Sequence, residues 1–100
     1  MSIAVRIDES ILAKDEGTYI HSIIPISGKI FLSNQRLLFF TEGIKKILFP
    51  KMIEVEIEQI YELEEKGNGF AIHIDNDVFR FTGTGAQRIF TRLEILYKSI

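Results

Sequence analysis

Few residues in this 100-residue chain have the type and spacing to do chemistry, and each candidate has a simpler structural explanation. His21 and His73 stand alone in apolar, strand-like runs, with no cysteine anywhere and no spacing that would gather metal ligands. Asp75-Asn76-Asp77 has the acids of a calcium loop but lacks its glycine and its bidentate glutamate, so it reads as a hairpin turn. Gly83-Thr84-Gly85 precedes a helical pattern, where backbone N–H groups attract anions, yet no P-loop lysine or βαβ context accompanies it. Capping is the expected role. The glutamates between positions 54 and 65 alternate with core-type residues and are expected to line a solvated face. No catalytic residues, metal site or cofactor are expected, and the chain reads as non-enzymatic.

The basic residues carry more. Lys45 and Lys46 are adjacent, interleaved with Ile44, Ile47 and Phe49, and Lys29, Arg36 and Lys51 flank them in sequence. These five are the candidate lipid- or anion-binding residues, because a basic, partly apolar tip suits an anionic membrane surface. The net charge of −2 conceals the segregation. Residues 28–51 hold five bases against Glu42, whereas residues 52–78 hold eight acids against Lys66. Such segregation steers charged partners, though strands with acidic outer faces also keep a small protein soluble. Nucleic acid is not an expected partner, since no basic groove with stacking aromatics is evident.

The elements that must position these residues follow from periodicity. At 46% hydrophobic and 26% charged, the chain has the composition of one globular domain, spanning residues 1–100. No apolar run approaches the ~20 residues of a membrane span. The first ten residues lack a signal-peptide core, and a cytoplasmic location, peripheral to a membrane, is expected. Residues 28–40, GKIFLSNQRLLFF, read as two strands around a Ser33–Arg36 turn. Before them, residues 9–16 suit either a helical turn or a strand start, and Gly17 is expected to break the pattern. Residues 18–26 form a strand that Pro25 ends or confines to an edge, with the next turn at Ser27-Gly28.

Ile44 to Phe49 reads as a further strand. Residues 52–66 place Ile53, Val55, Ile57, Tyr61 and Leu63 on one parity and glutamates on the other, which favours two strands broken near Glu58-Gln59 over a helix. Gly67-Asn68-Gly69 and Asp75-Asn76-Asp77 are turns around short strands at 70–74 and 78–81. The period then changes. Ala86, Ile89, Phe90, Leu93, Leu96, Tyr97 and Ile100 make one face of a C-terminal helix, with Thr84 and Gln87 spaced as a capping box. The fold class is mainly β, six or seven antiparallel strands followed by one helix.

Gly28, Ile30, Leu32, Ser33, Asn34, Arg36, Leu37 and Phe39 together resemble the signature of the GRAM domain, a branch of the pleckstrin-homology-like superfold. Weaker agreement extends over about residues 9 to 99, including Ile57-Glu58-Gln59-Ile60, where the family's usual proline is missing. The resemblance implies a partly open barrel of two antiparallel sheets capped by the C-terminal helix. It also implies a binding module and retains Arg36 as a structural residue. Two functions compete: recruitment to anionic membrane through the Lys45/Lys46 tip, or protein interaction, including self-association, through a sheet edge or the groove beside the helix.

Overall fold

The strand β1 (Ile11–His21) organises the fold because it is the middle strand of the array and joins its two halves. It runs antiparallel to β2 (Ile24–Ser33) from Ile11↔Ser33 to His21↔Ile24, and its last third also pairs with β7 (Asp77–Thr82). The computed structural model describes residues 4–41 and 52–99. Within them, β3 (Arg36–Thr41), β4 (Met52–Glu56), β5 (Glu62–Lys66) and β6 (Gly69–Ile74) complete an antiparallel array in the order β4-β3-β2-β1-β7-β6-β5. The end strands β4 and β5 are joined by a 3-10 turn (Ile57–Gln59) and are not paired with each other, which leaves the barrel partly open.

The array folds over at β1, and its two halves bury their alternate residues against one another. Phe39 of β3 meets Phe81 of β7 at a ring-centroid distance of 5.7 Å, and Tyr19 of β1 touches both rings. Ile30, Leu32, Leu37, Val55, Phe70 and Ile72 complete a core from which water is excluded. Helix α1 (Thr84–Lys98) closes one end, burying Ala86, Ile89, Phe90 and Leu93, with Leu96 and Tyr97 packed at the margin. This is the face its 3.6-residue period specifies. Phe90 stacks on Phe70 at 5.5 Å.

Four local expectations change. Gly17 does not interrupt β1; it sits opposite Gly28 in the ladder, and its missing side chain leaves room for Ile30 and Ala86. Residues 9–16 therefore lead into a long strand rather than a helical turn. The first turn falls at Ser22-Ile23, with Ser22 at φ 61°, and not at Ser27-Gly28, which lie inside β2. Pro25 is tolerated there because the described β2–β3 ladder begins only at Gly28↔Thr41, so its missing N–H interrupts no bond on that side.

Thr84 does not cap the helix. Gly83 occupies that position at φ 112°, with no side-chain capping bond, and the capping box with Gln87 is not formed. The strand expected over Ile44–Phe49 lies outside the described residues, as does Ile100. The break in residues 52–66, the 67–68 and 75–76 turns, and the central hairpin all fall where the sequence puts them.

Candidate functional site

The Ser33–Arg36 turn of the central hairpin holds the segment before β1 in place. Ser10 N–H donates to Asn34 Oδ1 at 2.8 Å, Asn34 Nδ2 donates to the Asp8 carbonyl at 2.9 Å, and Gln35 Nε2 donates to the Ile7 carbonyl at 2.9 Å. Beneath this strap Glu9 is buried. Arg36 Nε donates to its Oε2 at 2.8 Å and Nη2 to its Oε1 at 3.0 Å, a bidentate pair, while the Ser33 hydroxyl donates at 2.6 Å. Two further Arg36 donors go to Glu54 Oε1 and the Ala4 carbonyl, each at 2.8 Å. Hydrogen bonding to Arg36 pulls the Glu9 carboxyl down to about 2, against the opposing effect of its burial. Four of the five Arg36 N–H donors are thus committed to Glu9, Glu54 and the Ala4 carbonyl, and Arg36 holds the strap, as the family resemblance implies.

Of the other sequence candidates, Lys29 does not lie beside it. Lys29 lies on the outer face of β2, half-buried between Glu16 of β1 and Phe40 of β3. It is four strand positions from Arg36, roughly 13 Å along the hairpin. Lys45, Lys46 and Lys51 lie outside the described residues. Their segment leaves β3 at Thr41 and re-enters β4 at Met52, which pairs with Phe40. Nor is the acidic face of β4 merely solvated. Arg6 donates to Glu56 at 2.7 Å from both terminal nitrogens, and one of them also reaches Glu54 at 3.3 Å.

The strand directions bring three connections to one end. β1 runs toward the Ser22-Ile23 turn, β3 toward Thr41, and β6 toward the Asp75-Asn76 turn. At this end Ile23 is 90% exposed and Ile24 42%, with exposed Pro25 beside them. Ile20, Pro25 and the exposed Arg80 are cross-strand neighbours on the outer face. An almost fully exposed Ile23 beside a partly exposed Ile24 is, on stability grounds alone, a poor choice, since Ile23 leaves roughly 1.5–3 kcal/mol of burial unrealised and Ile24 a fraction of that. Sequence reasoning missed this tip because it placed the turn five residues late.

Elsewhere, an open cleft of about 470 Å³ lies where α1 begins, lined by Gly17, Thr18, Gly83, Thr84 and the Asp15–Arg88 ion pair of 2.6 Å. Arg88 holds the Asp15 carboxyl below its usual range. Donor atoms of Glu62, Glu64 and His73 lie within 4.8 Å of one another, a grouping that could hold a divalent cation. In it His73 Nε2 and Glu64 Oε1 share a hydrogen bond of 2.6 Å. No helix among the described residues is long and apolar enough to cross a membrane.

No family model and no curated protein matches the chain. Solved structures do match. The C-terminal domain of an unknown protein from Leishmania infantum superposes with a TM-score of 0.75 at 15% identity, over 91% of this chain and 86% of that one. The Vps36 N-terminal PH domain superposes with a TM-score of 0.72 at 14% identity, over 96% of this chain and 84% of that one. The fold is pleckstrin-homology-like. A third structure, the ternary complex of human RhoA, its inhibitor and the DH/PH domain of human ARHGEF11, gives a TM-score of 0.68 at 8% identity. It is matched over 93% of this chain and 30% of that one. In the pleckstrin-homology-like frame, the Glu9–Ser33–Arg36 latch under the central hairpin turn, the apolar tip and the helix-start cleft are separate features.

Proposed function

We propose that this pleckstrin-homology-like domain is a non-enzymatic binding module of the GRAM branch that docks on an anionic membrane surface. The GRAM assignment rests on the Gly28–Phe39 pattern, whose Ser33, Asn34 and Arg36 make the hydrogen bonds of the latch. One observation carries the membrane reading: the bare Ile23-Ile24-Pro25 tip stands at the end of the barrel toward which β3 delivers the lysine-bearing segment. Insertion of Ile23 and of the exposed part of Ile24 contributes roughly 2–4 kcal/mol. Each basic residue near an anionic surface contributes about 1 kcal/mol. Neither source alone gives durable binding, and the pair does. Arg80 and Lys29 add positive charge; Asp75, Asp77 and Glu42 oppose it, so the lysines at 45, 46 and 51 decide the sign.

Sedimentation with vesicles of phosphatidylserine and phosphatidylcholine tests the proposal. Binding at low salt should weaken on adding salt. It should fall in both Lys45→Glu/Lys46→Glu and Ile23→Ser/Ile24→Ser. A folded wild-type chain that stays in the supernatant at low salt would overturn it.

A further inference from the structure

The membrane reading leaves the most acidic part of the molecule without a role. Residues 52–78 carry eight acids against Lys66. Two of them, Glu54 and Glu56 on β4, are held by Arg6 and Arg36. Of the other six, Asp75 and Asp77 lie at the β6–β7 turn, and Glu58, Glu62, Glu64 and Glu65 belong to β5 and the turn before it. Glu58, Glu62 and Glu65 are exposed, and Glu64 pairs with His73 and Lys66. β5 is also an end strand. Among the described residues it has β6 on one side and no strand on the other, so half of its backbone N–H and C=O groups face outward.

We propose that the free edge of β5 docks an extended, lysine- and arginine-rich segment of a partner protein as an added antiparallel strand. The backbone of the added strand completes the ladder, and its basic side chains meet Glu62 and Glu64 on one face and Glu65 on the other. Charge selects β5 over β4, the other end strand, because the acids of β4 already have arginine partners. Charge also argues against a second copy of this chain. Two β5 edges in two-fold contact would set glutamates against glutamates, which is destabilising for directly opposed like charges. An apolar anchor has a place beside the start of the strand. A depression of about 300 Å³ lies between the 3-10 turn and the end of α1, floored by Ile57 and Ile60 and walled by Tyr97, with Glu58 at its rim.

The test uses a fluorescein-labelled ten-residue peptide with lysines on both strand faces, titrated by fluorescence anisotropy without lipid, so its outcome is independent of the vesicle experiment. Two further peptides carry N-methyl groups along one edge or the other. Strand addition uses one peptide edge only, so one methylated peptide should lose binding and the other retain it. Glu62→Lys/Glu65→Lys should weaken binding by about tenfold or more, as like-charge juxtaposition at an interface does. Glu62→Gln/Glu65→Gln serves if the reversal unfolds the edge. Asp75→Lys/Asp77→Lys should change binding little. Equal binding of all three peptides, equal loss from both acidic sites, or no binding to the wild type would each overturn the proposal.

Discussion

Glu9 and Arg36, 27 residues apart in sequence, meet at 2.8 Å with side chains 0% and 9% exposed. The contact ties the chain before β1 to the turn of the β2–β3 hairpin, so a motif that looks like local turn chemistry is a long-range fastening. Removing Arg36 strands Glu9 as an uncompensated buried charge, and removing Glu9 leaves the buried Arg36 with Glu54 alone. Arg36→Ala or Glu9→Ala should therefore cost about 3–5 kcal/mol. For a domain of this size each kcal/mol lowers the melting temperature by roughly 4–8 °C. Arg6→Ala, at a far more exposed pair, should lower it much less. Thermal denaturation followed by circular dichroism ranks the three.

The same pair sets a pH dependence. Arg36 holds the folded-state Glu9 carboxyl at about 2, below its ordinary value of 4.5. A depressed carboxylate stabilises the fold fully above its unfolded value, and that contribution is lost as pH falls toward 2. Wild-type stability should decline between about pH 4.5 and 2 more steeply than that of Glu9→Gln, which has nothing to protonate there. Urea midpoints measured across that range give the comparison. Parallel curves would contradict the assignment.

Gly28 opens the motif for a packing reason. A Cβ there would run into the Phe40 carbonyl oxygen and lie 2.8 Å from the Phe39 ring. Gly28→Ala should cost about 1–3 kcal/mol or more, the range for overpacking a filled interior. The loss should appear as a lower urea midpoint with an unchanged slope.

The helix start gives a contrast. Thr84→Ala should change stability by no more than about 0.5 kcal/mol, as ordinary surface substitutions do. Gly83→Ala should cost about 1–3 kcal/mol, because φ of 112° lies where side chains are strained. The reverse ranking would restore Thr84 as the cap.

How much of this was legible depends on range. The period-2 alternation at 52–57, the period-3.6 face of α1 and the turn residues at 33–36, 67–68 and 75–76 are local signals, and the structure follows them. Ser22 is a poor advertisement for a turn, whereas Ser27-Gly28 is a good one, and there the local signal misled; Gly28 is present to let β2 and β3 approach. Gly83 displaced Thr84 as cap because the chain must turn sharply from β7 onto α1, which its positive φ permits. The candidate site was less legible. A buried arginine needs a carboxylate, but the chain holds 14 acids, and nothing in their spacing singles out Glu9. Likewise Ile23 and Ile24 look like strand residues until the turn is placed between β1 and β2.

Membrane docking through that turn has a direct optical test, because the chain contains no tryptophan. An Ile23→Trp variant carries a single reporter at the tip, to be titrated with phosphatidylserine-containing vesicles, plain or brominated in the acyl chains. The account predicts a blue shift of emission and quenching by the brominated lipid, both lost when Lys45 and Lys46 are changed to glutamate. Vesicle-bound protein whose emission neither shifts nor quenches would contradict it.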